Sequence, residues 1–237
     1  SLRGQQQVAL FFSGPQHAGE NLADVLSHRA AELSSPIQMC DALSRNLSGD
    51  LTTIVAHCLA HARRQFVEQY DRFPDECRQV LEAFKVVYRN DANARERGLS
   101  PEKRLQLHRV KSGQTMNRLH NWLERQFREK KVEPNSSLGG AIRYLLKHWE
   151  RLTLFLRKPG APLDNNLCER ALKKSILHRK NSLFYRSTNG ARVGDMYMSV
   201  IHTCELCGAN PFEYLVALDE HAEAIAESPE LWMPWNY

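Results

Sequence analysis

Apolar positions in the first third of the chain fall in short runs. Val8-Ala9-Leu10-Phe11-Phe12, closed by Ser13-Gly14-Pro15, predicts a buried strand. Between Gly19 and Leu33, Leu22, Val25 and Leu26 recur at helical spacing, and Ser34-Ser35-Pro36 ends the pattern. Ile37-Gln38-Met39-Cys40-Asp41 predicts a second strand with an aspartate at its carboxyl end. Residues 52–58 predict a third, followed by a helix through Ala62, Phe66 and Tyr70. From Pro74 to about Arg157 the period becomes helical throughout, with helices expected over 75–93, 101–131 and 138–156. Breaks fall at Gly98-Leu99-Ser100-Pro101 and Glu133-Pro134-Asn135-Ser136. A continuous helical block between α/β pieces reads as an insertion. Beyond Lys158-Pro159-Gly160-Ala161-Pro162 the pattern predicts a helix over 165–177, an extended stretch over 181–185 and a helix over 193–207. A last acidic helix runs from Asn210 to about Glu227. The aromatic end, 229–237, is too irregular for another helix and is expected to dock in a groove.

With 237 residues, 42% hydrophobic and 25% charged, the chain is long enough to bury a core and too mixed for disorder. No apolar run approaches the roughly 20 residues of a membrane helix, and no basic-then-apolar leader opens the chain. Six cysteines suit reduced thiols better than a disulfide scaffold, and a cytoplasmic location is expected. The formal charge of +5 is unevenly spread. After Arg192 there is no Lys or Arg, while Asp195, Glu205, Glu213, Asp219, Glu220, Glu223, Glu227 and Glu230 follow. Between Arg170 and Gly194 stand Arg170, Lys173, Lys174, Arg179, Lys180, Arg186 and Arg192 with no carboxylate. A basic body with an acidic end suits either a polyanion, nucleic acid being the commonest, or a solvated basic surface.

Asp41 and Glu169 are the candidate catalytic carboxylates. An aspartate closing a strand points into the crevice where α/β proteins bind ligands. In Asp164-Asn165-Asn166-Leu167-Cys168-Glu169-Arg170 the two amides precede Glu169 by four and three residues, on one helical face. A carboxylate flanked by amides suits a hard cation or a polar groove. Arg170, Lys173 and Lys174 line a neighbouring face where a phosphate backbone can lie. The plainer alternatives are a loop-initiating role for Asp41 and an exposed Glu169–Lys173 pair.

The stretch from Pro159 to Leu172, with Asp164-Asn165-Asn166 and Glu169-Arg170 at its centre, followed by Arg179-Lys180-Asn181-Ser182-Leu183-Phe184, resembles the glutamate region of insertion sequence 66 family transposases. So do Asp41 on its strand, His57-Cys58-Leu59-Ala60-His61-Ala62-Arg63-Arg64-Gln65-Phe66, Asn210-Pro211-Phe212-Glu213-Tyr214-Leu215 and Trp232-Met233-Pro234-Trp235-Asn236. The resemblance spans nearly the whole chain in order. It implies a ribonuclease-H-like DDE core, α/β, with its first strand missing, a large helical insertion and a helical carboxyl-terminal tail. The expected divisions are 1–73 for the first part of the core, 74–158 for the insertion, 159–204 for the rest with the glutamate helix, and 205–237 for the acidic end.

Under that resemblance Asp41 matches the second metal-binding acid and Glu169 the third, holding two Mg²⁺ ions, or Mn²⁺ in their place. It implies cleavage at transposon ends and strand transfer into target DNA. The expected DNA contacts are His61, Arg64, Asn165, Asn166, Arg170, Lys173, Lys174, Arg179 and Lys180. Expected partners are transposon-end and target DNA, further copies of the chain on DNA, and accessory transposon-encoded proteins, with no membrane. The location becomes the bacterial cytoplasm, at the nucleoid. The family's first aspartate has no good counterpart, since Asp24, the only aspartate before Asp41, lies in a predicted helix. The chain, which opens on Ser1, is therefore expected to be a fragment or a decayed copy, and the rival function is a non-catalytic DNA-binding remnant.

Other features have plainer readings. His57 and His61 stand four apart, a zinc spacing only if both are helical, and no glutamate follows His57 as a zinc-protease motif requires. Cys204 and Cys207 form a lone CxxC within a helical stretch, best read as packing. Cys40 and Cys168 are expected to be buried, and the four tryptophans to be core or docking residues. The acidic tail is expected to pack on the basic core.

Overall fold

The computed structural model describes residues 2–3, 6–14, 18–30, 32–43, 52–182 and 185–237. They divide into two compact units, His17–Asn166 and Ser1–Gln16 with Leu167–Tyr237. Helix predominates, and the described strands are short.

In the larger unit, helix α1 (Ala18–Ser27) stops a turn and a half before the pattern in the sequence does. Ser27 Oγ donates to the Asp24 carbonyl and His28 Nδ1 lies 2.8 Å from it, satisfying an acceptor that another turn would have used. Strands β3 (Ile37–Cys40) and β4 (Ile54–His57) pair in parallel, with Cys40 opposite His57. Their carboxyl ends therefore lie side by side, and Asp41 and Cys58 follow them directly. The Cys58 N–H carries the pairing one step further, donating to the Cys40 carbonyl at 3.0 Å.

Helices α2 (Leu59–Glu68), α3 (Pro74–Glu96), α4 (Pro101–Lys111), α5 (Gly113–Arg128), α6 (Ser137–Lys147) and α7 (Trp149–Leu152) follow, with a 3₁₀ turn at Leu154–Leu156. Their apolar stripes meet in one core built on Leu59, Phe66, Val80, Phe84, Leu119, Leu123, Ile142 and Phe155. The helix expected over 101–131 divides at Ser112. That hydroxyl is buried, accepts from Asn90 Nδ2 at 3.0 Å and lies 3.0 Å from His108 Nδ1, which lets both α4 and α5 pack on α3. The helix expected over 138–156 divides at His148 and again at Thr153, whose hydroxyl donates to the Trp149 carbonyl at 2.7 Å.

The smaller unit begins with two-residue antiparallel strands β1 (Leu2–Arg3) and β2 (Gln6–Gln7). Residues 8–12 form no strand. Their backbone instead runs along helix α9 (Thr188–Cys207): the N–H groups of Ala9, Phe11 and Ser13 donate to Thr203 Oγ1, Ser199 Oγ and Asp195 Oδ2 at 3.1, 2.9 and 2.5 Å. Two extended residues advance about 6.6 Å and four helical residues about 6 Å, so alternate amides meet every fourth helical side chain. Helix α8 (Asn166–Ser182) continues through residues predicted to be extended, while Leu183 and Phe184 lie outside the described residues. Asn210 caps helix α10 (Pro211–Glu220), followed by α11 (Ala222–Glu227) and a 3₁₀ turn at Pro229–Trp232. The aromatic end, expected to dock in a groove, folds back on α10 and leaves Leu231 and Tyr237 exposed. Tyr214 donates to the Trp232 carbonyl at 2.6 Å, and the rings of Tyr214 and Tyr237 lie 5.4 Å apart.

Candidate active site and nucleic-acid interface

Asp41 stands at the end of β3, half-buried, where its Oδ1 accepts from the Leu43 N–H at 3.4 Å and starts the turn that leaves the sheet. Beside it His57 closes β4. The imidazole is 2% exposed, its Nδ1 has no hydrogen-bond partner, and its ring lies edge-on to His148 at 4.9 Å. Burial, then His148 and Arg151, push His57 down to about 4 against the opposing charge of Asp41, so the ring is neutral at physiological pH. The Tyr144 ring lies tilted at 56° to His148, centroids 4.8 Å apart, and burial followed by Asp41's charge raises its hydroxyl. Burial and Asp41 push the Cys40 thiol up to about 11, which removes it as a nucleophile. Among the described residues, the surroundings of Asp41 thus include a neutral histidine, a protonated phenol and thiol, and the Arg151 guanidinium.

Because His57 is in a strand and His61 in α2, the two do not share a helical face. Among the described residues no three His, Cys, Asp or Glu side chains cluster to hold a metal. His61 is half-buried and Arg64 exposed on α2.

The Asp164-Asn165-Asn166 run lies at the start of α8. Asp164 Oδ1 accepts from the Asn166 N–H at 3.1 Å, as a side chain does at a helix beginning. The expected common face of Asn165, Asn166 and Glu169 is only partly realised, since the helix starts at Asn166. Asn165 precedes it, its Oδ1 buried without a hydrogen-bond partner. Tyr88 lies near Asp164, its hydroxyl raised by burial and then by that carboxylate.

Glu169 occupies the first turn of α8, in the smaller unit, while Asp41, His61, Arg64, Asn165 and Asn166 belong to the larger one. With Glu169 on α8 stand Arg170, Lys173, Lys174 and Lys180, all exposed. Arg179 lies on the same helix, with its side chain outside the described residues. Lys174 forms an ion pair with Glu205, which also lies 2.9 Å from His202 Nδ1. The Lys174 bond, with help from His202 and against partial burial, lowers the Glu205 carboxyl. Cys168, expected to be buried, is exposed, because α8 buries little of its surface.

Tyr144 and Arg151, near the ends of the two strands, were missed in sequence because they lie a hundred residues downstream, on α6 and α7. The i, i+4 spacing of Tyr144 and His148 was the signal that they share a face.

In chain order, a strand-end carboxylate is followed by a helical block and then by a second carboxylate on a basic helix. The profile of the Transposase IS66 family matches residues 1–193, and the chain belongs to that family. Three proteins of Sinorhizobium fredii, each described as uncharacterized, are similar. They are y4jD at 28% identity over 98% of this chain, y4hP at 33% over 77%, and y4qI at 30% over 83%. The matches cover 43%, 35% and 36% of those proteins, so the chain spans well under half of each. No solved structure matches significantly. Among the described residues no helix is long and apolar enough to cross a membrane.

Proposed function

We propose that this chain is the carboxylate-bearing part of a DNA transposase, with Asp41 and Glu169 acting on one phosphodiester in cleavage at transposon ends and in strand transfer. The observation that carries this reading is the family match over residues 1–193, which includes both carboxylates. Asp41 at the carboxyl end of a parallel strand supports it, since that is where open α/β sheets present ligand-binding groups. The fold it invokes is ribonuclease-H-like, with the block from α3 to the 3₁₀ turn as its insertion.

The donors suit a hard divalent cation. Carboxylate oxygens are the ligands Mg²⁺ and Mn²⁺ prefer, and Asn165 Oδ1 is a buried amide oxygen with no hydrogen-bond partner. Asp41 and Glu169 would hold the ions, which supply Lewis-acid stabilisation of phosphoryl oxygens when bound. Among the described residues, neutral His57 and protonated Tyr144 add no negative charge beside Asp41. Arg170, Lys173, Arg179 and Lys180, with His61, Arg64, Asn165 and Asn166, position the DNA backbone. Lys174 contributes less, its charge being shared with Glu205. Copies of the protein on paired ends, transposon-encoded accessory proteins and a nucleoid location complete the proposal.

The test uses the protein that carries this chain and DNA bearing the transposon ends. Asp41→Asn and Glu169→Gln should each abolish Mg²⁺-dependent nicking and joining while leaving salt-sensitive DNA binding intact. Activity that survives both substitutions contradicts the site. DNA binding by the unsubstituted protein without nicking, in either metal, would make it a DNA-binding protein that has no catalysis.

A further inference from the structure

Arg143, Lys147 and Arg151 recur every four residues through α6 and α7. Four residues advance about 6 Å along a helix and return near the same side. The bonds from His148 N–H to the Tyr144 carbonyl and from Leu152 N–H to the His148 carbonyl carry that step across the break at His148, so the three cations form a row. All three are exposed. Elsewhere in this unit Lys85, Arg104 and Arg157 are paired with Glu82, Asp91 and Glu150, but among the described residues no carboxylate pairs with any member of this row. Arg143 is steadied by a bond to the Pro134 carbonyl, which leaves its charge uncompensated. Like charges at this spacing repel and so work against the helix that carries them.

Arg143 and Lys147 flank a groove of about 420 Å³ that is also lined by Pro134, Gly140, Tyr144 and His148, with no carboxylate among the described residues of its wall. The row continues from that groove to the sheet. The His148 ring touches His57, and α7 packs against β4. Arg151 acts electrostatically on both His57 and Cys40, the residues that end the two strands.

Resting on the transposase reading, we propose that Arg143, Lys147 and Arg151 form a phosphate track on the helical block, leading the backbone of a DNA strand to Asp41. A repeating anion matches a row of evenly spaced cations, where a single small anion would engage one or two of them. The track belongs to the larger unit and shares no residue with the basic helix α8.

The test measures binding of a short fluorescein-labelled DNA duplex to the 237-residue chain by anisotropy across a salt series. Each phosphate deprived of its cation lowers the slope of log K against log[salt] by about 0.9, so Arg143→Gln/Lys147→Gln/Arg151→Gln should lower it by about 2 to 3. Each single substitution should lower it by about 1, and Lys147→Arg should leave it unchanged. The single variants, checked for an unshifted thermal midpoint, decide the matter if the triple variant fails to fold. An unchanged slope in folded variants, with a reduced slope for Arg170→Gln/Lys173→Gln, overturns the track and leaves the transposase reading standing. No DNA binding by the unsubstituted chain overturns both.

Discussion

Asp91 lies nearly out of water on α3, with Arg104 Nε 2.6 Å and His108 Nε2 3.2 Å from the same oxygen. Burial by itself raises this carboxyl, but the His108 bond and the Arg104 charge outweigh burial and hold it below its usual value. Arg104 also donates to the Ala161 carbonyl at 2.7 Å, and the Leu59 N–H donates to the Leu163 carbonyl at 2.9 Å. The buried pair thus fixes the loop that delivers Asp164 and Asn165. Asp91→Ala strands a half-buried guanidinium and the buried His108, and should cost about 3 kcal/mol in chemical denaturation, whereas Asp91→Leu with Arg104→Met should recover most of it. Because the folded carboxyl is depressed, its contribution is present above the ordinary value near 3.8 and is lost as the pH falls below it. Asp91→Asn should therefore flatten the acid limb of stability; an unaltered limb would contradict the assignment. At the surface, Glu205→Gln should free Lys174 and steepen the salt dependence of DNA binding, an effect absent if Lys174 points away from DNA.

Helix α6 begins against the turn that precedes it. A Cβ at Gly139 would collide with the backbone carbonyls of Glu133 and Pro134, so Gly139→Ala should destabilise by about 1–3 kcal/mol and disturb the groove beside Arg143. A thermal midpoint that does not move would show that the turn yields. Long periodic helices were legible in sequence because burial repeats every three or four residues: α3, α5 and α6 lie where the pattern puts them. Their interruptions at Ser112 and His148 were not legible, because buried side-chain bonds and ring contacts made to other elements create them. Residues 8–12 have the apolar run of a strand, yet α9 supplies hydroxyl and carboxylate acceptors at a matching step, a pairing no local pattern encodes. The two parallel strands were legible from their apolar runs, and Asp41 from its place at the end of one. Cys168 was misread because an apolar neighbour sequence, Leu167 and Leu172, remains exposed on α8.

Over the whole molecule, charge and chemistry are distributed between the two compact units. The larger carries Asp41, the helical block and the row from Arg143 to Arg151. The smaller carries Glu169, the basic helix α8 and all eight carboxylates that follow Arg192. One of those carboxylates, Glu205, already neutralises Lys174, so part of the acidic end balances the basic helix of its own unit. The central proposal is that Asp41 and Glu169 serve one metal-dependent centre. Fe²⁺ replacing Mg²⁺ in the protein that carries this chain, with ascorbate and peroxide, generates hydroxyl radicals that cut the backbone close to the ion. Cuts near both residue 41 and residue 169, both lost in Asp41→Asn and both lost in Glu169→Gln, are the predicted result. Cuts at one position that ignore substitution of the other carboxylate would contradict a shared centre.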